Sequence, residues 1–170
     1  RVYADGHAVR LDPTGAAAYA RAATPPPDPA RPRVLFLGDS RARAWTDPPL
    51  PGGCEAVNRG IDGQTTAQIL LRLDRDALRL GPRAVVLQAG VNDLKTLGLF
   101  PDRAAAIVDD CRDNLRAIVG RLRAAGVAVV VTTIFPVGPP GLTRRPIWSD
   151  ATVGAIDEVN RSLRDLAGDG

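Results

Sequence analysis

Methionine is absent from the 170 residues, lysine occurs once, at Lys95, and histidine once, at His7. Without an initiator the sequence reads as a trimmed or processed form. An upstream export signal or anchor is compatible with that, so the compartment stays open. Aromatic residues make up only 4%, so the core has to be built from Ala, Val, Leu and Ile. Two cysteines, Cys54 and Cys111, do not make a disulfide framework. Cys54 precedes a strand candidate and Cys111 falls on the apolar face of a helix candidate, which are places for buried thiols; a pairing between them is left open. No apolar run approaches the length of a membrane span. Arginine supplies almost all the positive charge, but the net charge is only +3 and the arginines are scattered among Asp and Glu. With no basic stripe, nucleic acid is not an expected partner.

What is present suits one domain with a real core, since 45% of the residues are hydrophobic and 24% charged. Residues 1–30 differ in kind from the rest. Leu11-Asp12-Pro13-Thr14-Gly15 predicts a turn, and Pro25-Pro26-Pro27 favours an extended polyproline lead-in, so this stretch is expected to be a linker or surface arm. From Arg33 onward, strand and helix patterns alternate. Val34–Leu37, Glu55–Asn58, Ala84–Gln88 and Val127–Ile134 are the strand candidates, the last two being continuous apolar runs suited to burial on both faces. Thr65–Leu80, Asp102–Ala125 and Ser149–Leu166 carry apolar residues at helical spacing. This alternation predicts a parallel sheet with helices on both sides, a three-layer α/β/α domain over residues 31–170. Ala167-Gly168-Asp169-Gly170 is a turn sequence, and a doubly wound domain is expected to run on there into one more strand and helix.

Chemistry concentrates where three of the strands end. The first stops at Gly38-Asp39-Ser40, which leaves a serine hydroxyl at the edge where open α/β sheets build their sites. The second is followed by Asn58-Arg59-Gly60-Ile61-Asp62-Gly63-Gln64-Thr65-Thr66, and the third by Gly90-Val91-Asn92-Asp93. Acyl transfer needs a nucleophile and donors for a developing oxyanion. Ser40 is the nucleophile candidate, and its own backbone N–H is one donor. Gly60 has no side chain to keep its N–H from a ligand, and Asn92 offers a neutral amide. Taken singly, Gly60 closes a turn and Asn92-Asp93 caps a segment equally well; in order, at successive strand ends, they make a site. Asp39 and Asp93 are expected to brace turns or cap helices, and Arg59 to be a solvated neighbour. Trp148 follows the Pro- and Gly-rich loop Pro136–Pro146 on the same edge. It reads either as a wall for an acyl or alcohol group or as a hydrophobic staple onto the next helix.

These three ordered blocks resemble the first three blocks of the SGNH, or GDSL-type, hydrolases, a likeness that runs from about Arg33 to the end of the chain. The resemblance implies a flavodoxin-like strand order and a serine ester hydrolase working through a seryl acyl-enzyme. Its substrate would be a small short-acyl ester or an acylated sugar or lipid, with no metal or organic cofactor. It also implies an oxyanion hole of Ser40 N–H, Gly60 N–H and the Asn92 side chain. The family's fourth block, a late Asp-x-x-His, does not follow Ser40. Asp5-Gly6-His7, ahead of Leu11-Asp12-Pro13-Thr14-Gly15, is loosely similar to that block, as a circular permutation would make it. The spacing opposes this, because Asp5 and His7 are two apart and alignment on Leu-Asp-Pro puts Arg10 at the histidine's place. His7 is therefore expected to sit in the arm without a catalytic part, and no base is assigned. The segment that carries it is expected beyond Gly170. Two other readings stay open: an O-acyltransferase acting on a carbohydrate hydroxyl, and a binding module without a catalytic base.

Overall fold

The computed structural model describes residues 12, 15–19, 24–46, 48–136 and 148–168. Four strands pair into one parallel sheet: β1 (Arg33–Gly38), β2 (Glu55–Gly60), β3 (Ala84–Gln88) and β4 (Ala128–Val131), in the order β2-β1-β3-β4. The chain leaves β1 to one side to form β2 and then crosses to the other side for β3. That reversal opens a crevice outside the carboxyl ends of β1 and β3, where ligands of such sheets bind. Gly38 lies opposite both Gly60 and Gln88, so β1, β2 and β3 end at one level.

Helices α1 (Ser40–Arg43), α2 (Thr66–Leu71), α3 (Leu73–Asp76), α4 (Val91–Leu94), α5 (Ala104–Ala124) and α6 (Asp150–Gly168) connect and flank the strands. Leu35, Leu37, Val85 and Leu87 from the sheet join Leu115, Ile118 and Leu122 of α5 and Ile156, Val159 and Leu163 of α6 in one core. Each such side chain contributes roughly 1.5–3 kcal/mol on full burial. On the opposite face, Phe36 packs edge-on against Trp45 with ring centroids 5.6 Å apart. The sheet is thus parallel, flanked by helices, and in the expected order.

Two elements differ from the expected spans. The Thr65–Leu80 pattern forms α2, α3 and a 3-10 turn at Leu78–Leu80, with non-helical joints at Arg72 and Ala77. Its apolar spacing is satisfied all the same, since Ile69, Leu73 and Ala77 are fully buried. The joint at Arg72 turns a guanidinium inward, which the apolar pattern does not register. The fourth strand ends at Val131 instead of continuing to Ile134. There Asn160 of α6 takes over from a strand partner: Ile134 N–H donates to its Oδ1 at 2.7 Å, and its Nδ2 donates to Ile134 O at 2.9 Å.

The described part of residues 1–30 is docked rather than free. Tyr19 Oη donates to Gly60 O at 2.8 Å, and the Arg59 guanidinium lies 4.7 Å over the Tyr19 ring. Arg33, almost fully buried, reaches Pro25 O at 2.8 Å while pairing with Glu55 at 2.8 Å. Arg59 is therefore a buried tether for the arm, not a solvated neighbour.

Candidate active site

Gly38 is what makes the first turn. Its φ is +155°, and a Cβ there would sit 1.9 Å from Gln88 O, so only glycine lets β1 and β3 stay together at this point. The next residue, Asp39, donates its N–H to Gln88 O at 3.2 Å and caps α1 by accepting Arg41 N–H at 2.9 Å. Asp39 is fully buried and its Oδ2 has no partner among the described residues. Burial raises its pKa, while the Arg41 N–H, the Arg41 charge and the Lys95 charge work the other way. Ser40 follows, exposed, at the start of α1.

The β3–α4 turn places Asn92 and Asp93 side by side and buried. Asn92 Nδ2 donates to Gln64 O at 2.9 Å, and Asn92 Oδ1 accepts from Lys95 Nζ at 2.6 Å. Asp93 accepts Thr66 N–H at 3.0 Å and Thr66 Oγ1 at 2.7 Å. Desolvation raises its pKa, and those Thr66 bonds to the charged form oppose the rise. Asn92 and Asp93 thus clamp the β2–α2 loop from the neighbouring strand end. Asn114 adds a bond to Thr66 Oγ1 from α5.

Gly60 serves a different purpose from the one its position suggests. Its N–H donates to Asn58 Oδ1 at 2.8 Å, so it is already used within β2. A Cβ at Gly60 would lie 2.2 Å from Arg43 N and 2.6 Å from Arg43 Cα. The glycine is needed so that α1 can lie against the end of β2. Asn58 reinforces that contact by donating to Ala42 O and Trp45 O. Among the described residues, the N–H groups of Asp62 and Gly63 meet no acceptor in this loop, and Gly63 is exposed, at φ +74°, with open space around it. The signal was present as the Asp62-Gly63 dipeptide, a turn pair that calls for positive φ.

Gly60→Ala should therefore cost about 3 kcal/mol, because the clash is with backbone atoms that have to move together. Gly63→Ala should cost only about 1 kcal/mol, from the left-handed backbone alone. Urea unfolding midpoints of the two variants check the contrast; equal midpoints would mean that α1 does not rest on Gly60.

Sequence reasoning also passed over Arg72. Its guanidinium reaches Gly38 O at 3.1 Å, Gln64 Oε1 at 2.6 Å and Asp76 Oδ2 at 3.4 Å, so it ties the serine turn to the β2–α2 loop. Burial pulls its pKa down, and the adjacent Asp76 opposes that. Trp148 is half-buried and packs on the main core. The Pro136–Pro146 loop lies outside the described residues except for Pro136, and His7 and Arg10 lie outside them altogether. Cys54 and Cys111 are both free thiols, and burial pushes the Cys111 thiol up. Among the described residues, no group of His, Cys, Asp and Glu gathers in a way that would hold a metal ion.

The sequence profile of the GDSL-like lipase/acylhydrolase family matches residues 36–169. Among solved structures, the chain is similar to a GDSL-like lipase from Bacteroides thetaiotaomicron, at 28% identity and a TM-score of 0.73, over 91% of this chain and 74% of that one. A Bacteroides fragilis protein described as an acylhydrolase is 27% identical with a TM-score of 0.73, over 92% of this chain and 74% of that one. An acetylxylan esterase from Geobacillus stearothermophilus, solved as a catalytic mutant, shares the fold at 19% identity and a TM-score of 0.64, over 81% of this chain and 72% of that one. No functionally curated protein matches the chain.

Proposed function

The chain belongs to the GDSL-like lipase/acylhydrolase family, and from that premise we propose that it is a serine ester hydrolase with Ser40 as nucleophile. Ser40 Oγ attacks the ester carbonyl, whose electron pair moves onto oxygen. Ser40 N–H, Gly63 N–H and the second Nδ2 hydrogen of Asn92 receive that oxyanion, with Gly63 replacing Gly60 in the role. The alcohol departs with a proton, and water then cleaves the acyl–Ser40 ester. The resemblance implies a histidine from an Asp-x-x-His as the base for these transfers; the 170 residues hold none after Ser40.

The observation that carries this reading is the common level of three strand ends. Gly38, Gly60 and Gln88 are in register, and Ser40, Gly63 and Asn92 each follow within a few residues on adjacent turns. Three donors on three braced turns suit a tetrahedral oxyanion, which gains most from groups fixed before the charge develops. The fixing groups are Asp39, Asp93 and Arg72, none of which needs to move. Acetyl and other short acyl esters are the substrates this reading favours.

An uncharged fluorophosphonate is expected to label Ser40 slowly in the folded chain and faster than in urea-unfolded chain, with mass spectrometry placing the adduct. Ser40→Ala should take no adduct. Label on another serine, or equal labelling of folded and unfolded chain, would end the nucleophile assignment. Formation of an acylated alcohol when an acceptor is added would move the reading to acyl transfer.

A further inference from the structure

We propose that Lys95, the chain's single lysine, is a positioning residue of the oxyanion hole, holding and polarising Asn92 through its amide oxygen. This rests on the reading of Asn92 as an oxyanion donor. An ammonium has only donors and a backbone carbonyl only acceptors, so Lys95 on one side and Gln64 O on the other permit one orientation of the Asn92 amide. In that orientation Nδ2 faces Gln64 with one hydrogen, and its second hydrogen meets no acceptor among the described residues. The flipped amide would set an N–H against an ammonium and an oxygen against a carbonyl.

A lysine three residues along a helix from an asparagine would by itself be an ordinary surface pair. Two observations separate this one from that. The amide it binds is buried, and Lys95 is half-buried with its nitrogen 2.6 Å from Asn92 Oδ1. The Lys95 charge is also felt at Asp39, the residue that caps the Ser40 turn. A cation on an amide oxygen withdraws electron density from the nitrogen and strengthens its N–H as a donor. That gain is largest when the acceptor is an oxyanion, so it belongs to the transition state more than to the bound ester.

The single lysine makes the charge testable by chemistry as well as by mutation. Reductive dimethylation keeps the charge and acetylation removes it, and the only other amine is the terminal one. Lys95→Met and the acetylated chain are expected to turn over p-nitrophenyl acetate with kcat about tenfold lower and KM little changed, a fraction of the loss known for a whole oxyanion donor. Lys95→Arg and the dimethylated chain should stay within about threefold of the unmodified protein. Urea midpoints should agree across the set, which a purely structural role would not allow. If Lys95→Met keeps its kcat, or if Met and Arg variants fall alike, the proposal is overturned. Asn92→Ala run alongside keeps the two failures apart: an unchanged rate there removes Asn92 from the oxyanion hole, whatever Lys95 does.

Discussion

Turnover of p-nitrophenyl acetate by the 170-residue chain is expected to exceed the uncatalysed rate by only about a thousand- to ten-thousand-fold, which is what oxyanion donors and binding supply when a triad member is missing. The physical reason is that a serine hydroxyl without a base remains a weak nucleophile, whereas fixed donors work whatever attacks the carbonyl. Asn92→Ala should then lower the residual rate by a further factor of about one hundred or more. Ser40→Ala should cost this chain less than Asn92→Ala, because members of a catalytic unit lose their effect together once one is gone. His7→Ala should leave the rate unchanged. Background-subtracted initial rates decide the matter. A fully active chain that loses its activity on His7→Ala would place the base in the amino-terminal arm and make the permuted order correct.

The parts of this fold that were legible in the sequence are those with a single physical cause. The apolar runs of β1 and β3 and the short segment of β2, each followed by a turn, match the observed strands within two residues, because burial and the turn both demand those residue types. The apolar stripe Val108, Cys111, Leu115, Ile118 and Leu122 gave α5, and all five are buried. What stayed hidden was polar and long-range. Arg72 is one charge within the helical pattern Thr65–Leu80, yet it is nearly as buried as Leu73 beside it. Nothing in the spacing of apolar residues ties Lys95 to the Asn92 amide oxygen, the partner the structure gives it. Gly60 and Gly63 differ by three positions in one loop, and the bond from Gly60 N–H to Asn58 together with the Arg43 backbone packed on Gly60 separates the packing glycine from the open one. Asn160 is similar: its spacing on α6 reads as one more polar position, but its amide replaces a strand partner at Ile134. Hydrogen-bond partners distant in sequence leave no periodic trace.

Arg72→Met is expected to destabilise the chain by about 3 kcal/mol and to loosen the site before the rest of the domain. Three acceptors share that guanidinium: Gly38 O at the serine turn, Gln64 Oε1 in the loop that holds Asn92, and Asp76 Oδ2. Removing it takes a charged donor from the first two in a buried place, where such a bond contributes roughly 1.5–3 kcal/mol; Gly38 O keeps the Ile61 N–H at 3.0 Å. Asp76 is protected from the full penalty of an unpaired buried charge, because Arg75 still grips both of its oxygens, at 2.6 and 2.7 Å. This is why the expected loss lies at the lower end for a broken buried pair. Lysine is no substitute, since one ammonium cannot span a carbonyl, an amide oxygen and a carboxylate that a planar fork reaches together. Urea unfolding gives the stability, and amide hydrogen exchange at Asp39–Arg43 and Ile61–Thr66 gives the local effect. Exchange in those two segments should quicken below the denaturant concentration that unfolds β3 and α5. A loss under about 0.5 kcal/mol, or exchange that quickens only with global unfolding, would mean that Arg72 fills space without holding the two turns together.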